Sequence, residues 1–337
     1  MKKALLLFIL MMALCLVFAA CSSDPAEPAE DEAAETETEE TEDEYASWPE
    51  KSITIVCHTE SGAVDTMMRQ LGAQLEPILG VPVVIENHAG GDGAVAMAYT
   101  LGRPADGYTF MSCTSSFTFT FANGEIDYGP DDFKWITTLN GEPSAIAVLA
   151  DSPLETLDDF VKAMKEDPNQ YIIGGYGSAG FQQYMYYKFE QMNDFSTTWV
   201  PFKSGGDVPL NLLGGHIDVG VMTPSSGVSQ VQSGEIRLLA ISLDERSPYF
   251  PDVPTFKECG YDLSGQLWRG IIAAADTPQP IIDKMYEAIQ EVVASDAWQE
   301  YLDNNLQDSS SISGDDFYQT VVDEVADRAE FLKTIDQ

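Results

Sequence analysis

The residues of this chain that could do chemistry are hydroxyls and loop amides, not a nucleophile with its base. Ser178 stands in Gly177-Ser178-Ala179-Gly180, but Tyr176 occupies the place where a G-x-S-x-G elbow needs its first glycine. The three histidines, His58, His88 and His216, have no obvious acid partner. Catalysis is therefore not expected. Few histidines and no C-x-x-C pair argue against zinc. The turn Gly90-Gly91-Asp92-Gly93 lacks the G-x-G-x-x-G spacing and follows the second strand, which argues against a dinucleotide. No cofactor or metal is expected. Ser178, Ala179 and Gly180 instead precede a helix beginning at Phe181, and such ends attract anions through unpaired N–H groups and the positive end of the dipole. The loop Thr59-Glu60-Ser61-Gly62 leads to a helix at Asp65, which is placed to cap it, and Thr114-Ser115-Ser116 adds three hydroxyls after a strand. Ligands of open α/β sheets bind outside the carboxyl ends of strands. Three donor-rich loops closing on one carboxylate would need no cation.

The elements that must position these loops read as two α/β units. Strands are predicted over 52–56, 81–85 and 108–113, with helices after Asp65 and over 94–101. This alternation implies a parallel, doubly wound sheet. The order recurs with strands over 171–174, 199–202, 217–222 and 236–242, and helices over 181–192 and 209–213. Helices are predicted over 281–295, 297–304 and 315–333. Two apolar segments, 145–150 and 267–274, lie at the joins. As strands running between the sheets they would make a two-strand hinge with a cleft between two lobes. The resulting division is lobe 1 over 48–146 and 267–337, and lobe 2 over 147–266.

Of the 337 residues, 55 are acidic and 17 basic, a net charge of −38, which argues strongly against nucleic acid, whose binding is led by Lys and Arg. Solubility explains the acidity, and a cation-attracting face is the alternative. Residues 22–47 hold twelve acids and no base. That composition cannot bury a core and self-repulsion extends it, so 21–47 is predicted to be an acidic disordered tether. Ahead of it, Lys2-Lys3 and the apolar run to Ala20 read as a signal peptide over 1–20. Phe18-Ala19-Ala20-Cys21 resembles a bacterial lipobox, in which Cys21 becomes the lipidated terminus. A plain secretory signal is the other reading. Cys57, Cys113 and Cys259 remain, an odd number that implies no disulfide framework.

From Trp48-Pro49 to the C-terminus the chain resembles the substrate-binding proteins of tripartite tricarboxylate transporters, also called Bug receptors. The likeness is carried by Trp48-Pro-Glu-Lys-Ser-Ile-Thr-Ile-Val56, Val81-Pro-Val-Val-Ile-Glu-Asn87 with its glycine turn, and Ala105-Asp-Gly-Tyr-Thr109. It continues through Asp132-Phe133, Gly177-Ser178, Pro201-Phe-Lys-Ser-Gly-Gly206, Leu213-Gly-Gly-His-Ile-Asp218, Arg237-Leu-Leu-Ala240, Val253-Pro-Thr255 and Trp268-Arg-Gly270. The ordered series is more specific than any one piece.

The resemblance implies a bilobed periplasmic-binding-protein-like fold of type II. It implies an extracytoplasmic receptor that hands a small organic acid to a membrane transporter with one large and one small integral subunit. It places ligand contacts at Ser61, Gly62, Asp65, Gly91, Thr114, Ser115, Ser178 and Gly180, with their loop neighbours Thr59 and Ala179 and with Asp207 near the cleft. The departures bear on the ligand. Glu60 would repel a second carboxylate or pair with an ammonium group. His58 and His88 replace residues usual in the family. Arg269 stands at a usually uncharged place and would clamp a carboxylate if it faces the cleft. The expected function is a lipid-anchored receptor. A solute sensor serving a signalling partner and a surface hydrolase are the alternatives.

Overall fold

The computed structural model describes residues 45–335. The expected signal segment 1–20, Cys21 and residues 21–44 of the expected tether lie outside the described residues. Tyr45 to Ser47 do not behave as tether. Lys284 Nζ donates to the carbonyls of Tyr45 (2.6 Å) and Ala46 (3.1 Å), and the Tyr45 ring packs on the core.

Two sheets make up the described chain. The first has the order β11-β4-β10-β3-β1-β2, built from β1 (Ile53–Cys57), β2 (Val83–Asn87), β3 (Thr109–Thr114), β4 (Phe133–Pro143), β10 (Gln266–Ala274) and β11 (Asp308–Ser309). β1 pairs in parallel with β2 and β3, whereas β10 runs antiparallel between β3 and β4. The second sheet has the order β7-β6-β8-β5-β9, from β5 (Ala145–Leu149), β6 (Ile173–Tyr176), β7 (Trp199–Phe202), β8 (Val219–Met222) and β9 (Ile236–Ile241). β6 is parallel to β7 and β8, and β5 is antiparallel to β8 and β9.

Helices cover both faces of each sheet, which is why β1, β8 and β9 are nearly unbroken runs of apolar residues. Around the first sheet these are α1 (Ala63–Leu79), α2 (Ala94–Leu101), α3 (Ser116–Asn123), α8 (Gln279–Val293) and α9 (Asp296–Asn304). Around the second are α4 (Leu157–Glu166), α5 (Phe181–Asn193), α6 (Asp207–Leu213) and α7 (Val228–Gln232). The last helix, α10 (Gly314–Ile335), serves both. Its Phe317 lies 5.0 Å from the Trp268 ring in the first core, while Phe331 lies 5.5 Å from Tyr184 in the second.

The joins differ from the expectation. Both apolar segments are strands, but neither runs between the sheets. β5 pairs only with β8 and β9, and β10 only with β3 and β4. The chain crosses at Ser144, where the eleven-residue β4 hands over directly to β5, and returns through residues 242–265. β4, which like β11 was not expected from sequence, is what carries the first crossing.

Candidate functional site

A cavity of about 720 Å³ opens between the carboxyl ends of the two sheets. From the first sheet it is walled by the loop His58 to Val64, the turn Ala89 to Gly93, Thr114 with Ser116 and Phe117, and Leu267 with Arg269. From the second come Tyr176, Gln182, the turn Lys203 to Gly206, Val208, and Met222 with Thr223, Ser225 and Ser226. A cleft of this size with polar groups converging on it is the common form of a small-molecule site.

Backbone geometry shapes the first wall. Gly62 caps α1 with φ of 95°, and Gly90, Gly91 and Gly93 all hold positive φ, a conformation that favours glycine. Gly93 also has no room for a side chain, because a Cβ there would stand 2.3 Å from the Phe117 ring. That ring in turn meets His58 edge-on at 4.8 Å. His58 is buried, its Nδ1 lies 2.8 Å from Ser112 Oγ, and burial lowers its pKa to about 4. Near neutral pH it is an uncharged wall residue.

Arg269 forms the base of the cleft. It stands opposite Thr114 on β3 and Asn140 on β4, and directly opposed residues share a sheet face. Only 8% of Arg269 is exposed. Its Nη1 donates to Glu142 Oε1, which also accepts from Gln307 Nε2 at 2.9 Å, while Glu142 Oε2 accepts from Ser225 Oγ across the cleft. Arg269 Nε finds no acceptor among the described residues. The guanidinium thus sits in the wall with hydrogen-bonding capacity left over.

Thr59, Glu60, Ser61, Gly62, Gly91, Thr114 and Arg269, all singled out from sequence, line the cavity. Six others do not. Asp65 neither caps α1, which starts two residues earlier, nor faces the cleft. It accepts from Arg69 Nη2 (2.8 Å) and Asn87 Nδ2 (2.7 Å), and the Arg69 bond chiefly lowers its pKa. Ser115 is fully buried behind the wall, its amide bonded to the Trp268 carbonyl. Ser178 is exposed and caps nothing, since Gly180 is the N-cap of α5. Ala179, at φ of 56°, has its amide occupied by Gln183 Oε1 at 2.7 Å. Gly180 accepts from the Tyr184 amide and stays outside the cavity lining. The Asp207 carboxylate accepts from the Ser204 amide at 3.0 Å, so it shapes the Lys203–Gly206 turn from behind.

Sequence reasoning missed the second wall's hydroxyls. Thr223 Oγ1 lies 2.8 Å from Ser226 Oγ and 3.1 Å from Ser225 Oγ, in the turn after β8. The run Thr223-Pro-Ser-Ser226 at a strand's carboxyl end was the available signal. Lys203, Gln182 and Glu142 were likewise not singled out.

Two α/β sheets, a double crossing and a donor-lined cleft at the crossing define a bilobed solute-binding receptor. The family model described as "Tripartite tricarboxylate transporter family receptor" matches residues 67–336, and the chain belongs to that family. It is 28% identical over 260 residues to the UPF0065 protein in the gbd 5′ region of Cupriavidus necator, covering 76% of this chain and 78% of that protein. Its fold is similar to that of a TctC solute-binding protein from Polaromonas, with TM-score 0.77, 23% identity, and 86% and 100% of the two chains covered. It is also similar to R. palustris Rpa4515 with adipate, with TM-score 0.73, 25% identity, and 85% and 98% covered.

Proposed function

We propose that the chain is an extracytoplasmic receptor that binds a small organic acid in the cleft and delivers it to a membrane transporter with one large and one small integral subunit. Lipid at Cys21 holds it to the outer face of the membrane. The observation that carries this reading is the convergence of donors from both sheets on one cleft based on Arg269. A ligand carboxylate takes the free edge of Arg269, the Thr114 hydroxyl, and loop amides at Ser61, Gly62 and Gly91. The hydroxyls of Thr223 and Ser226 and the Lys203 turn meet it from the other side. Because the donors belong to both lobes, an acid gains most from the closed arrangement and selects it. No step of this cycle makes or breaks a covalent bond. The adipate seen in the R. palustris relative agrees with an acid as ligand.

Thermal melting of the purified full-length protein against mono-, di- and tricarboxylates and amino acids tests the reading. At least one acid is expected to raise the melting temperature and to compact the protein in small-angle scattering. Silence across the whole set overturns it. Radiolabelled uptake of that acid in cells, lost on deletion of either integral subunit, tests delivery. Metabolic labelling with palmitate, lost in Cys21→Ala, tests the anchor.

A further inference from the structure

The signs of the charges around the cleft narrow the class of acid. Four ionisable side chains carry charge into its walls: Glu60 and Asp92 from the first sheet's loops, Lys203 from the second sheet, and Arg269 at the base. Arg269 is already matched by Glu142, which is 1% exposed. Among the described residues the side chains of Glu60, Asp92 and Lys203 make no ion pair or hydrogen bond, and the contact at Asp92 is to its backbone carbonyl, from Thr120 Oγ1 at 2.9 Å. Lys51 and Arg69, the cations equally near to Glu60 in sequence, are engaged by Asp106 and by Asp65 with Asn87. His58, with Nδ1 held by Ser112, supplies no charge.

Lys203 is therefore one unpaired cation against two unpaired carboxylates among the described residues of the lining, and the cleft carries a small excess of negative charge before any ligand arrives. A tricarboxylate would add three like charges to it. Close like charges repel, and more strongly as closure expels water. Glu60 lies beside the amides of Ser61 and Gly62, so a ligand whose carboxylate uses those amides brings its α-substituent against Glu60. A hydroxyl or hydrogen there leaves Glu60 unpaired, whereas an ammonium group forms a charge-assisted bond with it.

We propose that the ligand is an amino acid, a carboxylate that also carries an ammonium group, and that Glu60 is the residue that selects it. This rests on the reading of the cleft as an acid site. The carboxylate is taken by the Ser61 and Gly62 amides together with Arg269 and Thr114, and the ammonium by Glu60. The apolar walls at Phe117, Leu267 and Met222 leave space for a side chain.

Calorimetry on the purified full-length protein with matched pairs tests this: aspartate against succinate, glutamate against glutarate, leucine against isocaproate, and N-acetylaspartate as an amino acid without its charge. In at least one pair the amino acid is expected to bind tighter than its partner by about tenfold or more. N-Acetylation should abolish that gain for aspartate. Glu60→Gln, a surface change that leaves the melting temperature in place, should bring the preferred pair to near equality without weakening the des-amino acid. Binding of succinate, glutarate, isocaproate or citrate with no amino acid preferred overturns the proposal and leaves the acid-receptor reading standing. So does a preference that survives Glu60→Gln. Silence from every compound overturns both.

Discussion

Ser144 and Ser242 bind the two crossings of the chain to each other. The Ser144 amide donates to Ser242 Oγ at 2.8 Å, and the Ser242 amide donates to the Ser144 carbonyl at 2.9 Å. Ser242 Oγ also donates to the Gly265 carbonyl at 2.6 Å, so one hydroxyl ties the outgoing strand to the end of the returning segment. Both serines are buried, which makes their bonds strong and their loss costly.

Ser242→Ala leaves the Ser144 amide and the Gly265 carbonyl without partners. We expect a stability loss of about 1–3 kcal/mol, read from urea unfolding. A change within experimental error would mean that the pairing at the crossing is not what holds it.

Glu142 is the acceptor for Arg269, Gln307 and Ser225 together. Glu142→Ala strands a buried guanidinium, and breaking a buried pair on one side costs about 3–5 kcal/mol. The double variant Glu142→Leu with Arg269→Met should recover much of that, because a buried ion pair and an apolar pair of similar size are often close in stability. Equal destabilisation of single and double variants would argue that the Arg269 charge is matched elsewhere.

The buried His58 and the half-buried Asp308 oppose each other in pH. Asp308, beside Glu142, has Oδ2 buried without a donor, and burial foremost, then the Glu142 charge, raises its pKa from 3.8 to about 6. The folded state holds that proton more tightly, so its contribution is complete below pH 3.8 and is lost as pH rises through 6. His58 works the other way. Its folded pKa is about 4 against 6.5, so stability falls as pH drops from 6.5 towards 4. Asp308→Asn should therefore be more stable than the parent at pH 7.5 and indistinguishable near pH 4. His58→Gln should flatten the acid limb instead. Melting curves across that range separate the two, and parallel profiles for all three proteins would refute both assignments.

Phe331, near the end of α10, packs on Tyr184 and Tyr187 of α5, and Arg328 lies over the Tyr184 ring at 3.7 Å. Phe331→Ala should cost about 3–5 kcal/mol, as for other buried aromatics. It should also widen the distribution of lobe separations seen by spin-label distance measurements. Loss of stability with unchanged separations would confine the role of α10 to packing.

Much of the fold was legible because its signals are local. The run Trp199–Phe202 and the helix Ala94–Leu101 appear where their apolar patterns and flanking glycines or prolines place them. Five helices and strands were not read, the short α7 and β11 among them, and the other three for different reasons. α3, Ser-Phe-Thr-Phe-Thr-Phe, alternates with the period of a strand, yet it is helical because it is buried nearly all round. β4 ends in Asn140-Gly-Glu-Pro143, which looks like a turn, and only the distant Arg269, Gln307 and Ser225 make Glu142 tolerable inside. α4 was readable, since Thr156 and Asp159 form a capping box ahead of Leu157, Phe160, Val161 and Met164. The loops that line the cavity were reached by residue type. Asp65, Ser115 and Asp207 were misplaced, because a one-dimensional pattern does not show which side of a loop a short polar side chain takes.

The position of β10 decides the order in which the molecule can be completed. It is paired on both sides, between β3 and β4, yet its residues follow the whole of the second sheet in sequence. A nascent chain ending at residue 143 would hold β3 and β4 with no strand to join them, whereas 145–241 contains every strand of the second sheet. The half that is translated first is thus the half that finishes last. A carboxyl-terminal truncation before residue 266 should leave one lobe able to fold and the other with an open seam.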